Sequence, residues 1–133
     1  MKYSQATDYA LHAMFYLTAT ASDKPVSVQQ LAEKLGVSQT YLSKMLTKLV
    51  KAGLIQSVPG VNGGYRLRRN REDISFLDVI RAIEGTASLF ECGLNHGPEC
   101  LIQQVVAEAE SKMEQHLANK KICELAGQFN GFG

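Results

Sequence analysis

The feature that most narrows what this chain can fold into is a change of period between Ser27 and Arg68. Two short helical stripes come first, Val28, Leu31, Ala32 and Leu35, then Leu42, Met45 or Leu46, Leu49 and Val50, with Gly36-Val37-Ser38 between them. Apolar residues recurring at three- and four-residue steps share one face of a helix. Ser27 and Ser38 stand where N-caps belong, Gln30 sits at capping-box spacing from Ser27, and Gly36 can take the positive φ that ends a helix. After Gly53 the period falls to two. Leu54-Ile55-Gln56-Ser57-Val58 and Tyr65-Arg66-Leu67-Arg68 read as strands, and the loop Pro59-Gly60-Val61-Asn62-Gly63-Gly64 contains Asn-Gly, a strong hairpin signal. Helix, tight turn, helix, hairpin is the order of a winged helix-turn-helix.

More helices flank this unit. Residues 4–20 carry Ala10, Ala13, Met14 and Leu17 on one face behind a Ser4 cap, and Ser22-Asp23-Lys24-Pro25 breaks the pattern. Ser75 and Asp78 have capping-box spacing ahead of Phe76, Val79, Ile80 and Ile83, and Gly85 closes that helix. Residues 86–100 have no period. From Leu101 to about Leu117, Ile102, Val106, Ala109, Met113 and Leu117 return at 4-3-4-4 spacing. The winged unit already has partners for its own apolar faces. This last stripe therefore asks for another surface, which a second copy supplies by symmetry, and those five residues are the expected dimer interface. The expected architecture is mainly α: a winged helix-turn-helix domain over residues 1–85, a linking loop over 86–100, a dimerisation helix region over 101–126 and a tail over 127–133.

The net charge of +1 hides an asymmetry. Residues 1–71 hold ten Lys and Arg against three acids, a net of +7, and residues 72–133 hold four bases against ten acids, a net of −6. A basic half joined to an acidic half suggests that the first half meets a polyanion. The second helix of the pair has a face suited to that. It presents Gln39, Thr40, Ser43, Lys44, Thr47, Lys48 and Lys51, with no acid between Ser38 and Ala52. Short hydrogen-bonding side chains and cations on an exposed helix are what the major groove of B-DNA accepts. Arg66, Arg68, Arg69 and Arg71 add charge to the hairpin, and its glycines allow backbone amides to approach phosphates. A nucleophile with base and orienter, a phosphate-cradling loop between strand and helix, and paired carboxylates in an apolar setting are all missing from the sequence, so no enzyme is expected. The competing reading is a winged-helix protein-interaction module that does not bind DNA. No apolar run approaches the roughly 18 residues of a membrane span, and no secretory signal is evident, so a cytoplasmic protein is expected.

Gln30-Leu-Ala-Glu-Lys-Leu-Gly36, Ser38-x-x-Tyr41-Leu42, Leu49-x-x-Ala52-Gly53-Leu54, Gly63-Gly64-Tyr65-x-Leu67 and Asp78-Val79-Ile80-x-Ala82-Ile83-Glu84-Gly85 occur in that order. In order and spacing this resembles the IscR/NsrR/CymR family of bacterial regulators (the Rrf-two family), over about residues 1–125. The resemblance implies a homodimeric winged-helix regulator, in the first instance a repressor, on double-stranded operator DNA of dyad symmetry, with a long C-terminal dimerisation helix. By position it makes Ser38, Gln39, Thr40, Ser43 and Lys44 groove-facing, with Tyr41 and Lys48 on the same helix, and makes Gly63, Gly64 and Tyr65 the wing, flanked by Arg66 and Arg68. One departure is Pro59, where many members place an arginine that enters the minor groove.

Cluster-binding members carry three cysteines in the loop before the long helix. Here only Cys92 and Cys100 lie there, and Gln103 stands where some members have a histidine. The usual three-cysteine set for an iron–sulfur cluster is thus incomplete. Three readings stay open: a thiol switch responding to oxidant; a metal or cluster held with His96, Glu99 or a residue of the other subunit; or no role. Cys123, in the apolar segment Ile122-Cys123-Glu124-Leu125, reads as a structural cysteine, with pairing to a loop thiol as the alternative.

Overall fold

The computed structural model describes residues 3–20, 24–86, 88, 90, 92–94 and 99–126. Helices α1 (Gln5–Ala19), α2 (Val28–Leu35) and α3 (Gln39–Lys51) are followed by strands β1 (Ile55–Val58) and β2 (Gly64–Leu67), a 3-10 turn (Arg71–Asp73), and helices α4 (Phe76–Glu84), α5 (Leu101–Asn119) and α6 (Ile122–Ala126). The expected tail at 127–133 lies outside the described residues.

The helix starts follow the caps. Ser4, Ser27 and Ser38 each accept from a backbone N–H in the first turn, those of Thr7, Gln30 and Tyr41. Ser75 and Asp78 make both bonds of a capping box, at 3.1 and 3.0 Å. Gly36 sits at φ 70°, so α2 can stop and the chain can turn directly into α3. The turn lets the two amphipathic helices bury their stripes together. Met14, Leu31, Leu42, Leu46, Leu49, Leu54, Ile55, Ile74 and Val79 are all under 2% exposed and form one continuous core. Each such side chain contributes about 1.5–3 kcal/mol of transfer free energy. Met45 and Leu46 are both buried, which resolves the ambiguity left by the α3 stripe.

The hairpin pairs Ile55 with Leu67, Gln56 with Arg66, Ser57 with Tyr65 and Val58 with Gly64. A one-residue third strand completes it: Val26 and Tyr65 exchange two backbone hydrogen bonds of 2.8 Å each. This ties the segment before α2 to the wing. A lone residue has no period, and nothing in the pattern reading pointed to it.

The C-terminal division is also altered. Residues 120–126 do not stay with α5 but fold back onto the winged domain. The Ile122 amide donates to the Ile74 carbonyl at 3.1 Å, the Phe76 amide donates to the Lys120 carbonyl at 2.9 Å, and Ile122 is 1% exposed within the main core. The unit at 1–85 therefore takes its last core residue from the region assigned by pattern to dimerisation.

Glu84, the last residue of α4, clamps the start of α1. Its carboxylate accepts from the Ser4 amide at 2.7 Å, the Ser4 hydroxyl at 2.9 Å and the Thr7 hydroxyl at 2.5 Å. These bonds, that from Thr7 foremost, hold the carboxyl below its ordinary value of 4.5, with Lys48 of α3 assisting through its charge. A carboxyl lowered by folding contributes stability above its unfolded value and loses it as pH falls through the folded one. Thermal melts are therefore expected to show that the wild type loses more Tm than Glu84→Gln between about pH 5 and pH 3. Parallel losses would mean the clamp adds nothing.

Candidate nucleic-acid interface

The outward face of α3 is open. Ser38, Gln39, Thr40, Lys44, Thr47, Lys48 and Lys51 are exposed and Ser43 is half-buried. The cause is the stripe on the other side: burying Leu42, Met45, Leu46 and Leu49 turns these residues to the surface. Three predicted residues have internal partners. The Ser38 hydroxyl is held by the Tyr41 amide at 3.1 Å. The Tyr41 ring meets Tyr9 edge-on, with centroids 5.7 Å apart at 88°, so it braces α3 on α1. Lys48 lies close enough to Glu84 to lower its carboxyl. Gln39, Thr40 and Lys44 are exposed along the first two turns of α3.

The wing differs from the sequence reading in what its glycines do. A Cβ on Gly63 would collide with the Val58 carbonyl oxygen, and one on Gly64, at φ 149°, would collide with the Val26 carbonyl. Both glycines are required by backbone packing within the protein, so their presence says nothing about phosphate approach. Tyr65 is likewise structural: its backbone pairs with Val26 and its side chain packs against the core. The projecting residues are those of the tip, Pro59, Gly60, Val61 and Asn62, all exposed. The Gly63 amide closes the tip by donating to the Gly60 carbonyl at 3.1 Å. Val61 and Asn62 were missed as candidates because turn composition marks a loop without saying which of its residues protrude.

The arginines divide. Arg66 stands across from Gln56, and with the Gln56 amide oxygen facing the guanidinium its Nε and Nη2 donate at 3.0 and 2.9 Å. Arg68 is exposed. Arg69 turns to the start of α4, with Nη1 3.6 Å from the Asp78 carboxylate and Nη2 3.5 Å from the Asp73 carbonyl.

Cys100 is 6% exposed and immediately precedes α5, while Cys92 is half-buried and its amide donates to the Gln103 side-chain oxygen at 2.8 Å. Gln103 thus takes a backbone bond at the place where a ligand would be needed. Among the described residues no three His, Cys, Asp or Glu side chains converge as a metal site, and His96 lies outside those residues. This donor set does not fit a three-cysteine cluster.

The predicted dimer stripe splits. Val106, Met113 and Leu117 are half-buried; Met113 accepts from the Tyr3 hydroxyl at 3.9 Å, and beside it Glu114 pairs with Arg81 of α4 at 2.6 Å. That face of α5 meets the chain's own body. Ile102 and Ala109 are exposed instead, and share the outer face with Leu101 and Val105, which the 4-3-4-4 spacing omitted. Leu101, Ile102 and Val105 are 74, 68 and 68% exposed. An apolar groove of about 390 Å³ lies elsewhere on the same chain, between Leu11 and Phe15 of α1, Phe76, and Ile122 and Leu125 of α6. No helix among the described residues is long and apolar enough to cross a membrane.

Comparison with known proteins agrees with this arrangement. Residues 3–128 match the Rrf2 family, described as iron-dependent transcriptional regulator. The putative HTH-type transcriptional regulator YffB of Lactococcus lactis is 32% identical, covering 96% of this chain and 88% of its own, and the HTH-type transcriptional regulator NsrR of Geobacillus kaustophilus is 33% identical, covering 79% and 71%. The structure of CymR, the global cysteine regulator of B. subtilis, superposes with a TM-score of 0.84 at 26% identity over 98% of this chain and 99% of that one. The IscR of T. potens does so with a TM-score of 0.78 at 30% identity over 99% and 95%. The chain belongs to the Rrf2 family: it is a winged helix-turn-helix transcriptional regulator and not an enzyme.

Proposed function

We propose that the protein is a homodimeric repressor that reads a dyad-symmetric operator, with α3 in the major groove and the wing tip over the adjacent minor groove. The observation that carries this is the exposed, acid-free outer face of α3, with Gln39, Thr40 and Lys44 in its first two turns. Gln and Thr can read base edges, and lysine can meet either a guanine edge or a phosphate. The tip offers Val61 and Asn62 in place of the arginine that Pro59 displaces, an apolar and a polar contact suited to a narrow groove. A dimer seats two such units about one DNA turn (~34 Å) apart. The outer stripe of α5 and the groove between α1 and α6 are two apolar surfaces on one chain that a two-fold dimer would cover. Repression needs nothing further, because a dimer seated on a promoter excludes polymerase.

The test begins with an operator selected from random DNA. Thr40→Ala combined with Lys44→Ala is expected to weaken it by about 1–3 kcal/mol per lost base contact and to relax preference at the contacted positions. Arg68→Ala is expected to reduce the slope of log affinity against log salt by about 1, whereas Arg69→Ala leaves it unchanged because that guanidinium is held by Asp78. An unchanged footprint for the double variant would remove α3 from the groove, and absence of any specific shift would favour the protein-interaction reading.

The input signal is assigned to Cys92, midway along the segment joining the winged domain to α5, and Cys100, at its end. An oxidised form of Staphylococcus aureus CymR, 31% identical, has been solved. Operator affinity that changes with oxidant in the wild type and not in Cys92→Ser supports a thiol switch; a coloured, iron-containing protein would replace it with a cluster.

A further inference from the structure

Helix α3 lies against α1 and α4, and those two also pack on each other. Its lie in the protein is therefore set by how α1 and α4 meet. Near the start of α3 the Tyr41 ring rests edge-on against Tyr9 of α1. In its last turn Lys48 is near enough to Glu84 of α4 for its charge to act on that carboxyl. Both ends of α3 thus refer to the same pair of helices, and a single oxygen ties that pair together. Glu84 Oε2 accepts from the Ser4 amide, the Ser4 hydroxyl and the hydroxyl of Thr7, a residue only 1% exposed.

The position of Glu84 is not explained by its own helix. It is the last residue of α4, where the helix dipole disfavours a negative charge. Its carboxylate instead meets the first turn of α1, where the dipole favours one. Thr7 stands just ahead of Tyr9, so a shift of this turn carries the ring that braces α3. Base edges are read only at hydrogen-bond range and angle, whereas attraction to phosphate tolerates a tilted helix. A change in the lie of α3 therefore removes operator preference before it removes affinity for duplex in general.

We infer that Glu84 is a positioning residue for operator recognition: by holding the start of α1 it fixes the brace on which α3 is set. The inference rests on the reading of α3 as the groove helix. Its test compares the Kd for the selected operator with that for random duplex, each corrected for active fraction by stoichiometric titration. Glu84→Ala is expected to lower this preference about tenfold, the worth of one lost base contact, with affinity for random duplex retained. Glu84→Gln should stay within about twofold of wild type, because all three bonds land on one oxygen and an amide oxygen can accept them. Thr7→Val keeps the Glu84 charge and the size of residue 7, and is expected to lower the preference about threefold through one lost bond. It also serves if Glu84→Ala does not fold. In a Tyr9→Leu background Glu84→Ala should add little, since the brace it acts through is gone. A wild type without operator preference would end the groove reading and this inference with it. With a selective wild type, three results overturn the inference alone. One is full selectivity in both Glu84→Ala and Thr7→Val. Another is equal loss in Glu84→Gln and Glu84→Ala, which would make the charge beside Lys48 the cause. The last is a full additional loss in the Tyr9→Leu background.

Discussion

Replacing Ile102 and Val105 together with glutamate is expected to leave a folded monomer that has lost most of its operator affinity. Both side chains are 68% exposed on the isolated chain, so the folded protomer gives up little by the change. In a dimer they would sit within an apolar seam, where two pairs of carboxylates would be buried without partners. Such burial costs several kcal/mol per ion, enough to abolish an interface of ordinary size. Separated half-sites then bind independently, and the loss of the linked second contact lowers affinity by about 10²–10⁴-fold. Sedimentation velocity reads the first effect and a gel shift the second. A dimer that persists in the double variant removes the outer face of α5 from the interface. Met113→Glu, on the stripe expected from the sequence, would be a poorer test. Met113 is half-buried against Tyr3, so that change damages the protomer itself and confuses unfolding with dissociation.

The contrast between Met113 and Val105 shows where pattern reading stops. Periodicity located α2, α3 and the hairpin because each buries a stripe within the unit it belongs to, and the caps Ser27, Ser38 and Ser75 marked the helix starts through local hydrogen bonds. A helix that faces two ways is harder. In α5 the apolar residues lie on two neighbouring faces, and one 4-3-4-4 path through them mixes Met113 and Leu117, which meet the chain's own body, with Ile102 and Ala109, which do not. Separating the faces requires knowing where α4 lies. Ile122 in the core and Arg69 on Asp78 are of the same kind, since each depends on a partner some distance along the chain. The outer face of α3 was legible for the opposite reason: its buried side is fully specified, so the remaining side chains have only one direction to point.

The wing glycines carry the largest predicted effect on folding. Gly64→Ala is expected to destabilise the protein by about 3–5 kcal/mol. At φ 149° a side chain is strained, at a cost of about 1–3 kcal/mol. The new Cβ would also lie inside the Val26 carbonyl group and close to the Ser27 amide. Neither neighbour can move freely. Val26 is fixed by two 2.8 Å bonds to Tyr65, and Ser27 caps α2. To admit a methyl group the Val26–Tyr65 bridge must open, losing about 0.5–1.5 kcal/mol for each hydrogen bond. Opening it also detaches the hairpin from the segment entering α2, so DNA affinity should fall with stability. Gly60→Ala is the control: it too has positive φ, at 103°, but a Cβ there meets nothing within 4 Å. It should therefore show only the backbone strain, about 1 kcal/mol, on a tip that still closes. Urea unfolding followed by circular dichroism separates the two variants. Equal midpoints would mean that the wing does not need its close approach to Val26, and that the clash at residue 64 relaxes without breaking the third strand.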